Sequence, residues 1–130
     1  MIVDTSALIA ILKRESEWRK LAEALDSSPG SYISASTYVE LSIVVDRWKN
    51  PTLSRRVDEL IEQFRIAVEP MTAEQARIAR QAYRDYGRGS GHAANLNFGD
   101  CFSYALARAM RETILFKGDD FLHTDLRPAV

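Results

Sequence analysis

Among the 18 acidic residues of this 130-residue sequence, those at four places each stand beside a short apolar run or near the start of a segment of helical period. Asp4 follows the apolar start of "MIVDTSALIA", Glu40 ends "SASTYVE", and Asp100 follows a glycine-rich stretch. The pair Asp119 and Asp120 follows the last apolar run. Carboxylates that crowd together at the mouth of an apolar core repel one another unless a cation offsets their charge. The pattern therefore favours a metal-ion site.

The available donor atoms indicate which metal ion such a site would take. Carboxylate oxygens without a cluster of His or Cys favour Mg²⁺ or Mn²⁺ over zinc. Magnesium keeps several waters and is commonly bound by one or two carboxylates together with a substrate phosphate, which suits phosphodiester hydrolysis. Thr5 and Ser6 would then orient Asp4 through hydrogen bonds.

A purely structural interpretation of the same acids is helix capping. Asp4-Thr5-Ser6 are all residue types favoured at helix N-termini, and Thr37-Tyr38-Val39-Glu40 fits a capping box with Glu40 in the first turn. Asp100 fits an acidic residue favoured by the helix dipole. Singly, each acid could be only a cap. Together they favour a site, because the loops that leave the carboxyl ends of parallel strands lie along one edge of the sheet.

The elements that must position these residues follow an alternating order. Short β-like runs alternate with longer segments of helical period, which predicts one α/β domain over residues 1–130 with a mainly parallel central sheet of four to five strands flanked by helices. The β-like runs are Met1–Val3, Tyr32–Ile33, Ala67–Val68 and Thr113–Phe116. One of the predicted helices starts at Thr72 and runs to about Gly87.

Composition narrows the class of protein. Hydrophobic residues make up 46% and charged residues 27%, the balance of a soluble globular protein, and no apolar stretch approaches the ~20 residues that span a bilayer. The single cysteine, Cys101, fits a reducing compartment and is expected to be buried. We therefore expect a cytoplasmic protein with no membrane segment. The net charge of −1 gives no overall basic footprint, so a polyanion would need a local patch.

A local basic patch is predicted beside Asp100. Arg80, Arg84 and Arg88 are spaced at i, i+4 and i+8, which would place them on one helix face, and Lys117 could add to the rim. Such residues would contact the phosphates of RNA without reading its sequence. The alternative is a solvated helix face.

The acidic residues and the segments "NFGDCFSYALA" and "LFKGDDFLHTDL" together give the sequence a family resemblance. It resembles PIN-domain ribonucleases, and more narrowly the VapC toxins of bacterial VapBC toxin–antitoxin pairs, over essentially the whole chain. The resemblance implies a single PIN-like domain and an Mg²⁺- or Mn²⁺-dependent endoribonuclease that cuts structured RNA such as tRNA or ribosomal RNA.

The resemblance also implies roles for individual residues. Asp4, Glu40 and Asp100 would be metal-binding and catalytic carboxylates, with Ser6 in support. The family often has an Asp where Gly118 stands here, which leaves the fourth acid open. Asp120 is the first choice and Asp119 the alternative.

The implied partners are an inhibitory VapB-type antitoxin, a second copy of the chain in a homodimer, and promoter DNA reached only through the antitoxin. Two other functions stay open at this point. One is a non-catalytic PIN-like module that binds RNA or protein. The other keeps the metal site but acts on a DNA flap or a small phosphate ester. For the second, Ser6 argues against a haloacid-dehalogenase phosphatase, which needs a second Asp at that position.

Overall fold

The computed structural model describes residues 1–130 and contains one four-stranded sheet. Its strands are β1 (Ile2–Val3), β2 (Ser31–Ser34), β3 (Ile66–Glu69) and β4 (Ile114–Leu115). The order across the sheet is β3-β2-β1-β4, and every neighbouring pair is parallel. The predicted α/β fold with a parallel sheet is confirmed, with four strands. All four strands therefore end at the same edge of the sheet.

Six α-helices connect and cover the strands. They are α1 (Thr5–Lys13), α2 (Trp18–Asp26), α3 (Ala35–Asp46), α4 (Pro51–Gln63), α5 (Ala73–Tyr86) and α6 (Asp100–Met110). A short 3₁₀ helix, Asp120–His123, follows β4. None of these helices is both long and apolar enough to cross a lipid bilayer.

Strands β1 and β4 are buried on both faces, and their successive residues point to opposite sides of the sheet. Val3 and Leu115 pack into a cluster of 14 buried residues that comes mainly from α1 to α4. Ile2 and Ile114 point the other way, toward α6 and its neighbours. Burial of both faces explains why β1 and β4 consist of aliphatic residues only.

The starts of two helices test the capping signals in the sequence. Thr72 caps α5 as predicted, since its Oγ1 accepts a hydrogen bond from the Gln75 backbone N–H. The capping box at Thr37 is wrong. The chain passes from β2 directly into α3, so Ser34 at the strand end is the cap and its Oγ accepts from the Ser36 N–H. Glu40 consequently lies in the second turn of α3 rather than in the first.

Core packing on α1 generates a stability prediction. Leu8 is 1% exposed within the 14-residue cluster, so Leu8→Ala is expected to lower the free energy of unfolding by about 2–5 kcal/mol. Urea denaturation followed by circular dichroism measures the change. Leu122→Ala is the matched control, because Leu122 is 54% exposed and should change stability by less than about 0.5 kcal/mol. Equal losses in the two variants would contradict the assigned core.

Candidate active site

Asp4 lies where β1 ends and α1 begins, and three hydrogen bonds hold its carboxylate. Oδ2 accepts from the Ser6 backbone N–H at 3.0 Å and from Ser6 Oγ at 2.7 Å, and Oδ1 accepts from Ser103 Oγ at 2.6 Å. The residue is only 4% exposed. Asp4 is therefore both the N-cap of α1 and a fixed carboxylate at the edge of the sheet, so the two interpretations of "MIVDTS" are compatible.

Ser103 is a site residue that the sequence reasoning missed. It is fully buried on α6, three residues after Asp100, and its Oγ also lies 3.3 Å from Thr37 Oγ1 on α3. The i, i+3 spacing on one helix places Ser103 on the same face as Asp100, and this was the available signal. Its hydrogen bond ties α6 to the carboxylate at the end of β1.

Glu40 reaches the same edge from α3. Its Oε1 accepts a hydrogen bond from Thr5 Oγ1 at 2.8 Å, so Thr5 orients Glu40 rather than Asp4, contrary to the expectation. Its other oxygen packs against Gly99, where a Cβ atom would overlap the carboxylate. A side chain at position 99 would therefore displace the Glu40 carboxylate from its present place.

Asp100 is the first residue of α6, and Asn97 holds it through a reciprocal pair of hydrogen bonds. Asp100 Oδ2 accepts from the Asn97 backbone N–H at 2.9 Å, and Asn97 Oδ1 accepts from the Asp100 N–H at 2.8 Å. No hydrogen bond in the structure reaches Asp100 Oδ1. One carboxylate oxygen thus remains available for a ligand.

Burial and the charges of neighbouring acids contribute to raised pKa values of Asp100 and Glu40. Burial raises the pKa of Asp100 from 3.8 to about 7, and the nearby charges of Asp4, Asp120 and Glu40 act in the same direction. Burial also raises the pKa of Glu40, with a contribution from Asp4 and opposition from the Thr5 hydrogen bond. None of the four acids forms an ion pair with a basic side chain. Their negative charge is left uncompensated by the protein.

Of the two candidates for the fourth acid, Asp120 is the one whose charge acts on Asp100. Asp119 lines a separate cleft together with Lys117 and Leu122. Asp4, Glu40 and Asp120 therefore lie near enough to Asp100 for their charges to raise its pKa, and the chemical roles of the four acids stay predictions.

The donor set is compatible with a hydrated divalent cation. No three His, Cys, Asp or Glu side chains converge closely enough to enclose an ion by themselves. Mg²⁺ binds through one or two carboxylates and keeps several waters, so it does not need an enclosing set. The oxygens free of hydrogen bonds on Asp100 and Glu40, with Asp120 beside them, fit that type of ion.

The predicted basic residues lie in different surroundings. Arg80 and Arg84 on α5 line a groove together with Phe98. Arg88 does not continue their helix face, because α5 ends at Tyr86 and residue 87 pairs with Leu96 in a β-bridge. That part of the prediction is wrong.

The backbone of Lys117 contacts the site, and its side chain contacts Glu15, two residues after the end of α1. Its backbone N–H donates to Ser6 Oγ at 3.0 Å, and its Nζ donates to Glu15 at 2.8 Å. Cys101 is buried as expected, and burial raises the pKa of its thiol to about 11. A contact of Lys117 with RNA stays a prediction.

Comparisons with known proteins match nearly the whole chain. A family model described as the PIN domain matches residues 1–126. Ribonuclease VapC42 of Mycobacterium tuberculosis is 57% identical over 129 residues, which cover 99% of this chain and 98% of that protein. This chain and VapC42 are therefore related over nearly their full lengths.

Two solved structures share the fold. Mycobacterium tuberculosis VapC20, described as a sarcin-ricin loop cleaving toxin, matches with a TM-score of 0.72 and 20% identity over 98% of both chains. VapBC2 from Rickettsia felis, bound to a DNA fragment from its promoter, matches with a TM-score of 0.70 and 15% identity over 93% of this chain and 89% of that one.

The raised pKa of Asp100 predicts a pH-dependent stability. In chelator, native Asp100 holds a proton between about pH 4 and pH 7 that the unfolded chain has released, so the free energy of unfolding should fall as pH rises through this window. Asp100→Asn removes this contribution and should be the more stable protein at pH 7.5. Urea denaturation at several pH values measures the difference.

The matched control is Asp85→Asn, at an exposed carboxylate on α5 that accepts a hydrogen bond from Gln81. It should follow the pH dependence of the wild type. A difference between wild type and Asp100→Asn that stays constant from pH 4.5 to pH 7.5 would contradict the raised pKa.

Proposed function

Since the chain belongs to the PIN-domain family, we propose that it is an Mg²⁺- or Mn²⁺-dependent endoribonuclease and the toxin of a VapBC-type toxin–antitoxin pair. It would hydrolyse phosphodiester bonds in structured RNA, tRNA or ribosomal RNA, in the cytoplasm. The observation that carries the proposal is the set of four acids at one edge of the sheet, with no basic side chain to offset their charge. The 57% identity to a named ribonuclease supports the reaction class.

The protein's own contribution to the reaction is to hold carboxylate oxygens in place. Asp4, Glu40 and Asp100 would hold a hydrated cation, directly or through its waters, and Asp120 would act beside Asp100. A divalent cation supplies activation of water and neutralisation of charge on phosphate oxygens. Ser6 and Ser103 keep both oxygens of Asp4 oriented, so this carboxylate does not need to reorganise when substrate arrives.

Asp100 links cation binding to proton release. Near pH 7 its pKa of about 7 leaves part of the population protonated in the absence of a cation. A nearby positive charge favours the ionised carboxylate, so Asp100 would release that proton when the site is loaded. Binding of the cation should therefore weaken as pH falls below 7.

The proposed partners follow from the relatives. A VapB-type antitoxin would inhibit the enzyme, because one matched structure is described as VapBC2 bound to promoter DNA. Promoter DNA would be reached only through that antitoxin. The chain would act as a homodimer, and several large apolar side chains are exposed on the surface of one copy.

Removal of the acids should abolish RNA cleavage. Asp4→Asn and Asp100→Asn are each expected to lower the rate by at least about 100-fold, since each removes a group that organises transition-state charge. The assay follows digestion of purified tRNA and ribosomal RNA with Mg²⁺ or Mn²⁺, and with chelator as a second control. Asp85→Asn should cleave like the wild type.

The same assay separates the alternatives. RNA binding without cleavage under either metal, across both RNA classes, would establish a non-catalytic module instead. Faster digestion of a flap DNA than of either RNA would change the substrate class. Equal digestion by wild type and both acid variants would reveal a contaminating nuclease and remove the proposal.

The fourth acid is decided by a matched pair of neighbours. Asp120→Asn should lower the cleavage rate by at least about tenfold, because the charge of Asp120 acts on Asp100. Asp119→Asn should have an effect of less than about twofold. The reverse order would assign the role to Asp119.

A further inference from the structure

A groove with a cavity volume of about 480 Å³ opens between α5 and the segment that leads into α6. Seven of its nine lining residues are hydrophobic, and three of these are the aromatic residues Tyr83, Phe98 and Phe102. The volume lies within the range of small-molecule binding sites. We call it the aromatic groove.

The aromatic groove adjoins the candidate active site. Phe98 and Phe102 lie two residues before and two residues after Asp100, and Cys101 on the groove wall directly follows it. Gly99, next to Phe98, packs against the Glu40 carboxylate. The segment of residues 98–99 therefore contacts the groove through Phe98 and the Glu40 carboxylate through Gly99.

Phe98 is unusual for an aromatic residue in a folded chain. Its side chain is 75% exposed, and its ring packs edge-on against Phe102 with a centroid distance of 4.8 Å and an interplanar angle of 80°. Tyr83 across the groove is 42% exposed. Exposed apolar surface grouped in this way marks a binding site. The rings offer flat faces on which another aromatic group can stack.

The charge of the groove selects the kind of ligand. Arg80 and Arg84 lie one helical turn apart on its rim, and neither forms an ion pair within the chain. Guanidinium groups bind phosphate oxygens through two hydrogen bonds. An apolar protein surface would leave both arginines without a partner, whereas a nucleotide supplies an aromatic base and an anionic phosphate together.

We propose that the aromatic groove holds an unstacked RNA base next to the bond that is cut, an inference that rests on the proposed ribonuclease function. The base stacks on Phe98, and Arg80 and Arg84 contact the adjoining phosphate. Recognition of RNA in single-stranded loops commonly uses this combination of stacking and arginine contacts. The groove would thus place the scissile phosphate of a looped RNA at the acids.

Binding measured without cleavage tests the proposal. Short single-stranded oligoribonucleotides carrying one 2-aminopurine are titrated with the full chain in chelator, and fluorescence quenching reports stacking. Wild type should quench the probe. Phe98→Ala should lose the quenching and weaken Kd by about 5- to 150-fold, the effect of removing one stacked base. Phe98→Trp should restore both.

The arginines have a matched control on the same helix. Arg80→Ala should weaken binding and reduce the slope of log Kd against log salt by about 0.7, the value for one phosphate contact on a single strand. Arg77→Ala should change neither quantity appreciably, because Arg77 is exposed on α5 but does not line the groove. Ile43→Ala is the control for loss of an exposed apolar side chain outside the groove.

Sedimentation velocity and thermal unfolding of every variant separate the other outcomes. If Phe98→Ala keeps the quenching and Kd but changes the protein from dimer to monomer, the groove is a contact between protein chains and the proposal is overturned. If wild type cleaves RNA and Phe98→Ala binds as tightly, the groove proposal fails and the ribonuclease function stands. If wild type neither cleaves nor binds RNA, both proposals fail.

Discussion

Repulsion among carboxylates buried at one edge of the sheet is the constraint on which the rest of the structure depends. Asp4, Glu40 and Asp100 are held by hydrogen bonds, Asp120 is exposed, and the protein offers no basic side chain to offset their charge. Burial raises the pKa of Asp100 to about 7, and the charges of Asp4, Asp120 and Glu40 add to the rise. The same crowding that makes the bare site unfavourable makes it attractive to a divalent cation.

The hydrogen bonds at this edge connect helices that are distant in the sequence. Ser103 on α6 donates to Asp4, and Thr5 on α1 donates to Glu40 on α3, so α1, α3 and α6 are fixed relative to one another by the groups they position. Because these side chains lie on helices packed against a buried sheet, their geometry is set by the core and not by flexible loops. Stability of the fold and order in the site therefore come from the same contacts.

The sequence was sufficient for the fold class and for the juxtaposition of the acids, since parallel strands bring their carboxyl ends to one edge. It was insufficient where the decisive contact is tertiary. Thr5 is adjacent to Asp4 in sequence, but its hydroxyl bonds Glu40, 35 residues away. Ser103 lies 99 residues from the carboxylate it holds. Ser34 and Thr37 are both good caps, and only the end of β2 decides between them.

Positions 98 and 99 are neighbours in the sequence but differ in how well they tolerate substitution. The Glu40 carboxylate occupies the space of any side chain at 99, whereas the side chain at 98 extends into solvent. Substitution at 98 can therefore alter the surface beside the acids while their arrangement stays intact. A single substitution there could change what the molecule binds without rebuilding the groups held behind it.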